Sequence, residues 1–584
     1  MARRLAALCA TPAGTTSTGH PFLAREAWES LRDEVAHLFG QGQRVLDAAA
    51  TLEAALPAGA AGENARLVLQ VVRQVVHTAA ITAPPDLWLL RNLLANLSTL
   101  GLTRRLLAGE ALRLDRCEAD GALLSARELE VDLTFLQARG LVESYGESFR
   151  IAGHPRARQI LERFGPLPPG QPVSPTPLWR RLFLSEALQP QELKTLAELG
   201  DKPPRRTDER QNHWLATVEE VELGWRLLPL VLGLRAASRG TDLTEGAILD
   251  AADLSSDNPD LAAGALRVLD ACGWARSAGA DRAKITTLGA RGFARAAGPF
   301  GIIETYHTYL EHGVEILRGA DARAWVHRDE NVAASQEANR ASFTRAHDSL
   351  DAFCRDTGFR YTVFIEHACG RGEATRLRRE RSGDAALRYF GADLEDAAIE
   401  AAVAEQLAGH LPANMVFVRR ADIGRPEALL EALQAHGAAA AGAVMMVGNG
   451  FHEVRDQSDE KMIEVFAGYE RAGIVLLFTE ENALAIEDLR ATAWNTYHAG
   501  FRWVHEKSGQ GLRPATPRAP RHGGHALRAA WDDCARRAGY VRADAWCSRS
   551  RRIYPTTPPD GHNPAVSVNH FFVPARLAAR LGLA

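Results

Sequence analysis

At 584 residues, 46 % of them hydrophobic, the chain has material for about three structural units whose cores need no disulfide or metal staples. With 24 % charged residues and a formal net charge of −4, it lacks the basic excess of a molecule dominated by a polyanion-binding surface. Seven scattered cysteines, an odd number with no Cys-x-x-Cys pair, suggest neither a disulfide framework nor a zinc knuckle and fit a reducing cytoplasm.

The apolar run after Arg3 and Arg4 is shorter than the core of a secretion signal and soon gives way to Gly14-Thr15-Thr16. No later run reaches the ~18 uncharged apolar residues of a membrane span, so a soluble cytoplasmic protein is expected. Residues 22–39 and 64–80 carry apolar side chains at helical spacing, which predicts a helical unit over 1–164. Within it, 140–151 reads as a hairpin turning at Gly146-Glu147 after a helix that ends near Arg139, the outline of a winged helix. The proline-rich stretch 165–177 sustains neither helix nor sheet pairing and is read as a linker.

Residues 178–320 are expected to form a second winged-helix-like module, with 243–270 helical, a stop at Cys272-Gly273 and a hairpin over 274–287. DNA reading needs arginine, lysine, asparagine or glutamine on the helix before the wing. The two candidate helices, 125–139 and 255–270, carry more acids than bases, so nucleic acid is not expected as a partner and a packing or dimerisation role is. From residue 361 the texture changes to short β-rich runs at 361–366, 387–392, 415–420, 443–447, 473–479, 540–548 and 566–573. Helix-length segments separate the first five, as parallel pairing requires, and the last two are close enough for an antiparallel edge. The expected fold of 321–584 is therefore a doubly wound α/β domain, a mostly parallel sheet with an antiparallel last strand.

The densest chemical signal is Glu366-His367-Ala368-Cys369-Gly370-Arg371-Gly372, a strand ending in an acid and then a glycine turn opening a helix. Such a turn lets a ligand approach the backbone and offers it free helix amides. Asp393 closes the next strand, where a carboxylate accepts hydrogen bonds from ribose hydroxyls, and Asp422 and Asn449 follow the third and fourth.

This set resembles the first motif of class I S-adenosylmethionine-dependent methyltransferases, an acid followed by Gly-x-Gly-x-Gly. Glu366, Gly370 and Gly372 match, while Ala368 stands where the family has its first glycine. The resemblance covers roughly residues 320–584 and implies a Rossmann-like domain with S-adenosyl-L-methionine as cofactor. It places Glu366, Ala368, Gly370 and Gly372 by the methionine part, Asp393 at the ribose and Asp422 near the adenine. Leu394, Ile423 and Asn449 complete the implied cofactor set.

A narrower similarity is to winged-helix O-methyltransferases of small molecules, which carry a catalytic histidine just after the fourth strand in a His-x-Trp-x-Asp-like segment. The segment Phe451-His452-Glu453-Val454-Arg455-Asp456 offers His452 as general base, with Glu453 orienting it or binding substrate, but lacks the tryptophan. The winged-helix module of those enzymes dimerises, so a homodimer is implied. Departures from them are the extra N-terminal unit and the polar segment 492–506, whose Trp494, Asn495, Tyr497 and His498 are candidate walls and handles of an acceptor pocket. Arg513 reads as a solvated surface arginine, and no spacing of acids and histidines points to a metal.

A sulfonium methyl is already electrophilic, so the protein has only to align a nucleophile and, for a hydroxyl, remove its proton. O-methylation of a small molecule is the leading expectation. N- or C-methylation and a non-catalytic cofactor-binding regulator or scaffold are the alternatives. A dinucleotide oxidoreductase fits less well, because Thr375 occupies the last position of Gly-x-Gly-x-x-Gly.

Overall fold

The computed structural model describes residues 2–16, 20–35, 38–205, 213–241, 243–320, 329–382, 387–517, 528–557 and 561–583. Two compact units emerge, one of Met1–Val326, Ile486–Val504 and Ile553–Asn563, the other of His327–Ala485, His505–Arg552 and Pro564–Ala584. Two segments inside 321–584 thus group with the first unit, and both flanks of the proline-rich stretch 165–177 share that unit.

The first unit is built on the helix Ala60–Thr99, which runs past the expected end at residue 80 and straight through Pro84 and Pro85. A proline inside a helix costs about 3 kcal/mol through its missing N–H and its ring clash. Burial offsets that cost: Leu87, Trp88, Leu89, Leu90, Leu93 and Leu94 just beyond are all buried. The helix Val218–Ala236, opened by a Thr217–Glu220 capping box, packs along it. At Gly224 the two approach so closely that a Cβ would stand 2.5 Å from that of Leu87. The expected helix over 22–39 is Arg25–Val35 preceded by a short strand, Pro21–Leu23, with Leu38–Ala54 starting anew after residues 36 and 37, which lie outside the described residues.

Both anticipated hairpins are present. Helix Ala126–Ala138, N-capped by Ser125, leads into Val142–Tyr145 and Ser148–Ile151, and Leu112–Arg113 adds a third strand. The second unit of this kind pairs Ala275–Ser277 with Arg282–Ile285, and Ile248–Asp250 joins as third strand. The continuous helix expected over 243–270 is thereby corrected to a strand and two helices, Ala251–Leu254 and Pro259–Ala271. Asp250 caps the first helix, and the residue before Pro259 is biased away from helical backbone.

In the second unit the strands are β1 Val363–His367, β2 Arg388–Asp393, β3 Val416–Arg419, β4 Val444–Gly448, β5 Val475–Glu481, β6 Tyr540–Arg542 and β7 Ser567–Pro574. They hydrogen-bond in the order β3-β2-β1-β4-β5-β7-β6. β1 to β5 are mutually parallel, and β7 runs antiparallel to both β5 and β6. As their proximity suggested, β6 and β7 pair antiparallel at the edge of the sheet; β7 itself lies between β5 and β6, with Phe571, Phe572 and Val573 buried. The expected 540–548 strand stops at Arg542, and a separate two-residue strand, Ser548–Arg549, also pairs with β7.

Alternating residues of each strand feed two cores. One face packs Ile365, Phe390, Met445, Leu476 and Phe478 against helices α4 Glu427–Ala435, α5 Asp459–Arg471 and α6 Trp531–Arg537. The other packs Phe364, Tyr389, Val444, Met446 and Leu477 against α1 Asp329–Thr357, α2 Glu373–Ser382, α3 Asp396–Leu407 and α7 Ala575–Arg580. The result is a three-layer α/β/α unit whose strand order reverses between β1 and β4.

Candidate active site

Ligands of open parallel sheets bind outside the strand C-termini where the order reverses. Here that edge carries the turns after β1, β2, β3 and β4. Those after β1, β3 and β4 meet at Gly450, where a Cβ would stand 2.6 Å from Val447 Cγ1, 3.2 Å from Ala368 Cβ and 3.4 Å from Ile423 Cδ1.

β1 ends one residue later than expected, at His367. Glu366 is buried and its two oxygens accept the α2 amides of Ala374 at 3.0 Å and Thr375 at 2.7 Å. Burial pushes this carboxyl up to about 7, against the opposing pull of those hydrogen bonds. His367, also buried, is pushed down to about 3 and so is neutral, its Nδ1 accepting the Ala368 N–H at 2.9 Å. Ala368 adopts φ 54°, Gly370 51° and Gly372 84°. The position where alanine replaces the family glycine therefore still demands left-handed backbone, which an L-residue adopts at a cost of about 1–2 kcal/mol. At Gly372 a Cβ would also meet Leu411 Cδ1 at 2.8 Å.

Asp393 ties the first two turns together. One oxygen accepts the Gly370 N–H at 2.9 Å, the other the Glu395 N–H at 3.0 Å. These two bonds fix the orientation of the carboxylate at the ends of both turns. Beside it Leu394 exposes 43 % of its surface, an apolar platform next to a polar clamp. Asp422 turns inward on Gly424 N–H at 2.8 Å, and Ile423 is buried, its carbonyl accepting the Tyr469 hydroxyl at 3.0 Å. Asn449 also adopts a left-handed φ of 53°, with its N–H donated to Thr479 O at 2.9 Å.

After β4, His452 sits in the short 3₁₀ turn Phe451–Glu453 and is buried. Its Nδ1 lies 2.6 Å from Glu480 Oε2 on β5, while Glu480 Oε1 accepts the Phe451 N–H at 2.7 Å. In the tautomer with Nδ1 donating to Glu480, Nε2 is the basic ring nitrogen. Glu453, expected as the orienting acid, stands on the other side, its Oε1 3.4 Å from Nε2. The ring of His505 packs edge-on at 4.7 Å. Sequence reasoning missed Glu480; its signal is Thr479-Glu480-Glu481, a pair of acids closing an apolar strand at the ligand edge.

The four acceptor-pocket candidates fall in the first unit. Trp494 is buried, donates Nε1 to Trp214 O at 2.8 Å and lies under the Arg139 guanidinium at 4.5 Å. Asn495 donates to Ile553 O at 3.1 Å, and His498 Nδ1 meets the Thr496 hydroxyl. Tyr497 packs edge-on to Phe501 at 5.6 Å. Arg513 is not a surface arginine: it is fully buried in the second unit, bound to Gln457 Oε1 at 3.1 Å, Ser458 O at 2.9 Å, Ala529 O at 3.0 Å and the Asp459 carboxylate. Among the described residues no group of three or more His, Cys, Asp or Glu side chains is arranged to hold a metal, and no helix is long and apolar enough to cross a membrane.

No protein-family model matches the chain, and no curated protein matches it. Solved structures similar to it include the DszA carbon methyltransferase (15 % identity, 60 % of this chain and 88 % of that one, TM-score 0.31). Human N-acetylserotonin methyltransferase in complex with SAM is similar at 12 % identity, over 56 % of this chain and 88 % of that one, with TM-score 0.34. A putative O-methyltransferase from Nostoc punctiforme PCC 73102 gives 9 % identity, 58 % and 94 % coverage and TM-score 0.36.

Proposed function

We propose that the second unit is an S-adenosylmethionine-dependent methyltransferase and that His452 is its general base, acting on a hydroxyl of a small-molecule acceptor. The observation that carries this reading is the Gly370–Asp393 contact at the reversal of strand order, in a sheet whose five parallel strands are followed by the antiparallel β7. The donor set fits the cofactor: left-handed glycines open the backbone at the β1 turn, Asp393 offers oriented acceptors to the ribose, and Leu394 offers an apolar face. Bound there, the cofactor supplies an electrophilic methyl on a sulfonium.

The chain's own task is then to hold the acceptor in line and take its proton. Glu480 fixes the His452 tautomer, so Nε2 receives the proton, and the resulting imidazolium sits between the Glu480 and Glu453 carboxylates. The same buried base serves an acidic carbon, which keeps C-methylation as the second reading. An amine acceptor gives His452 less to do.

Titration calorimetry with S-adenosylhomocysteine, NAD and NADP, on the natural protein and Asp393→Ala, tests the cofactor. Selective S-adenosylhomocysteine binding weakened at least tenfold in the variant is expected, and preference for NAD or NADP would overturn the reading. His452→Ala should keep that binding and lose transfer to any acceptor found by screening; near-normal turnover would remove the base. The 178–320 module is proposed to dimerise the protein, for which light scattering should give the mass of two chains.

A further inference from the structure

Beyond the base itself, the loop after the helix His498–Lys507 brings one buried side chain, Gln510, into the His452 region. Gln510 is buried, and both ends of its amide are engaged: Oε1 accepts from the Ser508 hydroxyl at 3.0 Å, and Nε2 donates to Glu453 Oε2 at 2.7 Å. A carboxylate only accepts, so the amide NH2 is the end that faces Glu453 and the amide oxygen faces the Ser508 hydroxyl, which also lies 3.1 Å from His505 O. The other oxygen of that carboxylate is the one 3.4 Å from His452 Nε2.

Backbone bonds deliver Gln510 to this place. Gly511 N–H donates to His452 O at 3.2 Å, Asp456 N–H to Gly509 O at 2.8 Å, and Gln510 N–H to His505 O at 2.9 Å. Gly509 takes φ 75°, a turn that favours glycine. The loop and the base segment are therefore cross-tied on both sides of the Gln510 side chain.

We propose that Gln510 is a positioning residue, which acts through Glu453 to set the electrostatics at the basic nitrogen of His452. This rests on the reading of His452 as proton acceptor. The Gln510 amide engages one Glu453 oxygen while the other lies beside Nε2, where its charge stabilises the proton arriving there. The row Ser508–Gln510–Glu453–His452–Glu480 thus frames the imidazole with one carboxylate per nitrogen.

The test is ¹⁵N NMR of the histidine rings in the full-length protein, comparing the natural chain with Gln510→Met, Glu453→Gln and the double variant, each also titrated with S-adenosylhomocysteine. Gln510→Met is expected to displace the His452 Nε2 resonance while the Nδ1 resonance, set by Glu480, stays in place. In the Glu453→Gln background the same substitution should add no further displacement, which a merely structural glutamine would not achieve. An unmoved Nε2 resonance, or an equal displacement in both backgrounds, overturns the proposal. If Gln510→Met fails to fold, Gln510→Glu removes the donor at nearly constant size and should displace Nε2 at least as far; an unmoved resonance there overturns it equally. Loss of S-adenosylhomocysteine binding by the natural protein would strike the methyltransferase reading alone, since the ring resonances report the relay without it.

Discussion

Glu366 shows how burial can reverse the usual sign of a carboxylate's contribution. Its ordinary value of 4.5 rises to about 7 in the fold, so its stabilisation is fully present below about pH 4.5 and is lost as pH climbs through 7. The difference across that window is on the order of 3 kcal/mol. Glu366→Gln does not ionise, so the natural protein should lose stability relative to the variant between pH 5 and pH 8. Urea midpoints of both at the two pH values check this, and parallel curves would contradict it. Two residues along, Ala368 at φ 54° carries left-handed strain that glycine relieves, partly offset by glycine's greater freedom in the unfolded chain. Ala368→Gly is expected to be neutral or stabilising by up to about 1 kcal/mol. A thermal melt showing a clear loss would mean that the methyl group packs usefully.

At the scale of elements, the segment Ile486–Val504 is held in the first unit by a buried ion pair. Asp86, on the helix Ala60–Thr99, meets Arg139, and both side chains are fully buried. Asp86 also accepts Gly500 N–H at 3.0 Å, and Arg139 donates to Ala493 O at 3.1 Å and Thr496 O at 3.3 Å. Burial lifts Asp86 to about 6 and depresses Arg139, each effect opposed by the partner's charge. Removing one member leaves the other charged without compensation, so Arg139→Met should cost about 3–5 kcal/mol. Adding Asp86→Leu should recover part of that loss, and chemical denaturation of single and double variants separates the two effects; additive losses would argue against coupling. None of this was legible in the sequence, because Asp86 and Arg139 lie 53 residues apart, Ala493 lies 354 residues beyond Arg139, and Trp494, Tyr497 and His498 read equally as pocket or core. The strands of the second unit were legible, since Val475-Leu476-Leu477-Phe478 and its counterparts are short apolar runs parted by helical stretches. The helix through Pro84 and Pro85 was not, because tertiary burial overrides local propensity there. In the candidate site, Glu366, Gly370, Asp393 and His452 announced themselves by their place at strand ends; Glu480 shares that place, but its tie to His452, like that of Gln510 to Glu453, is a contact that only the folded chain supplies.

At the scale of the whole molecule, the interleaving of the two units decides what can be separated. A fragment of residues 321–584 is the natural unit by sequence texture, yet it contains Ile486–Val504 and Ile553–Asn563, which belong with the first unit. Trp494, Trp503, Val504 and Ile553 within them are buried, with Trp503 donating to Asp132 at 2.8 Å and Trp494 to Trp214. Cut away from residues 1–320, these side chains lose their partners and expose large apolar surface, at roughly 2 kcal/mol or more each. The fragment should therefore be poorly soluble, bind a hydrophobic dye and be cleaved by protease inside 486–504 and 553–563. Replacing both segments by short glycine-serine linkers should restore a soluble α/β unit, because β5 and β7 pair with each other through residues outside them. Circular dichroism and limited proteolysis of the two fragments discriminate the outcomes. A stable, protease-resistant 321–584 fragment with both segments intact would show that they carry enough order of their own, and that the second unit folds without the partners seen for Trp494 and Trp503.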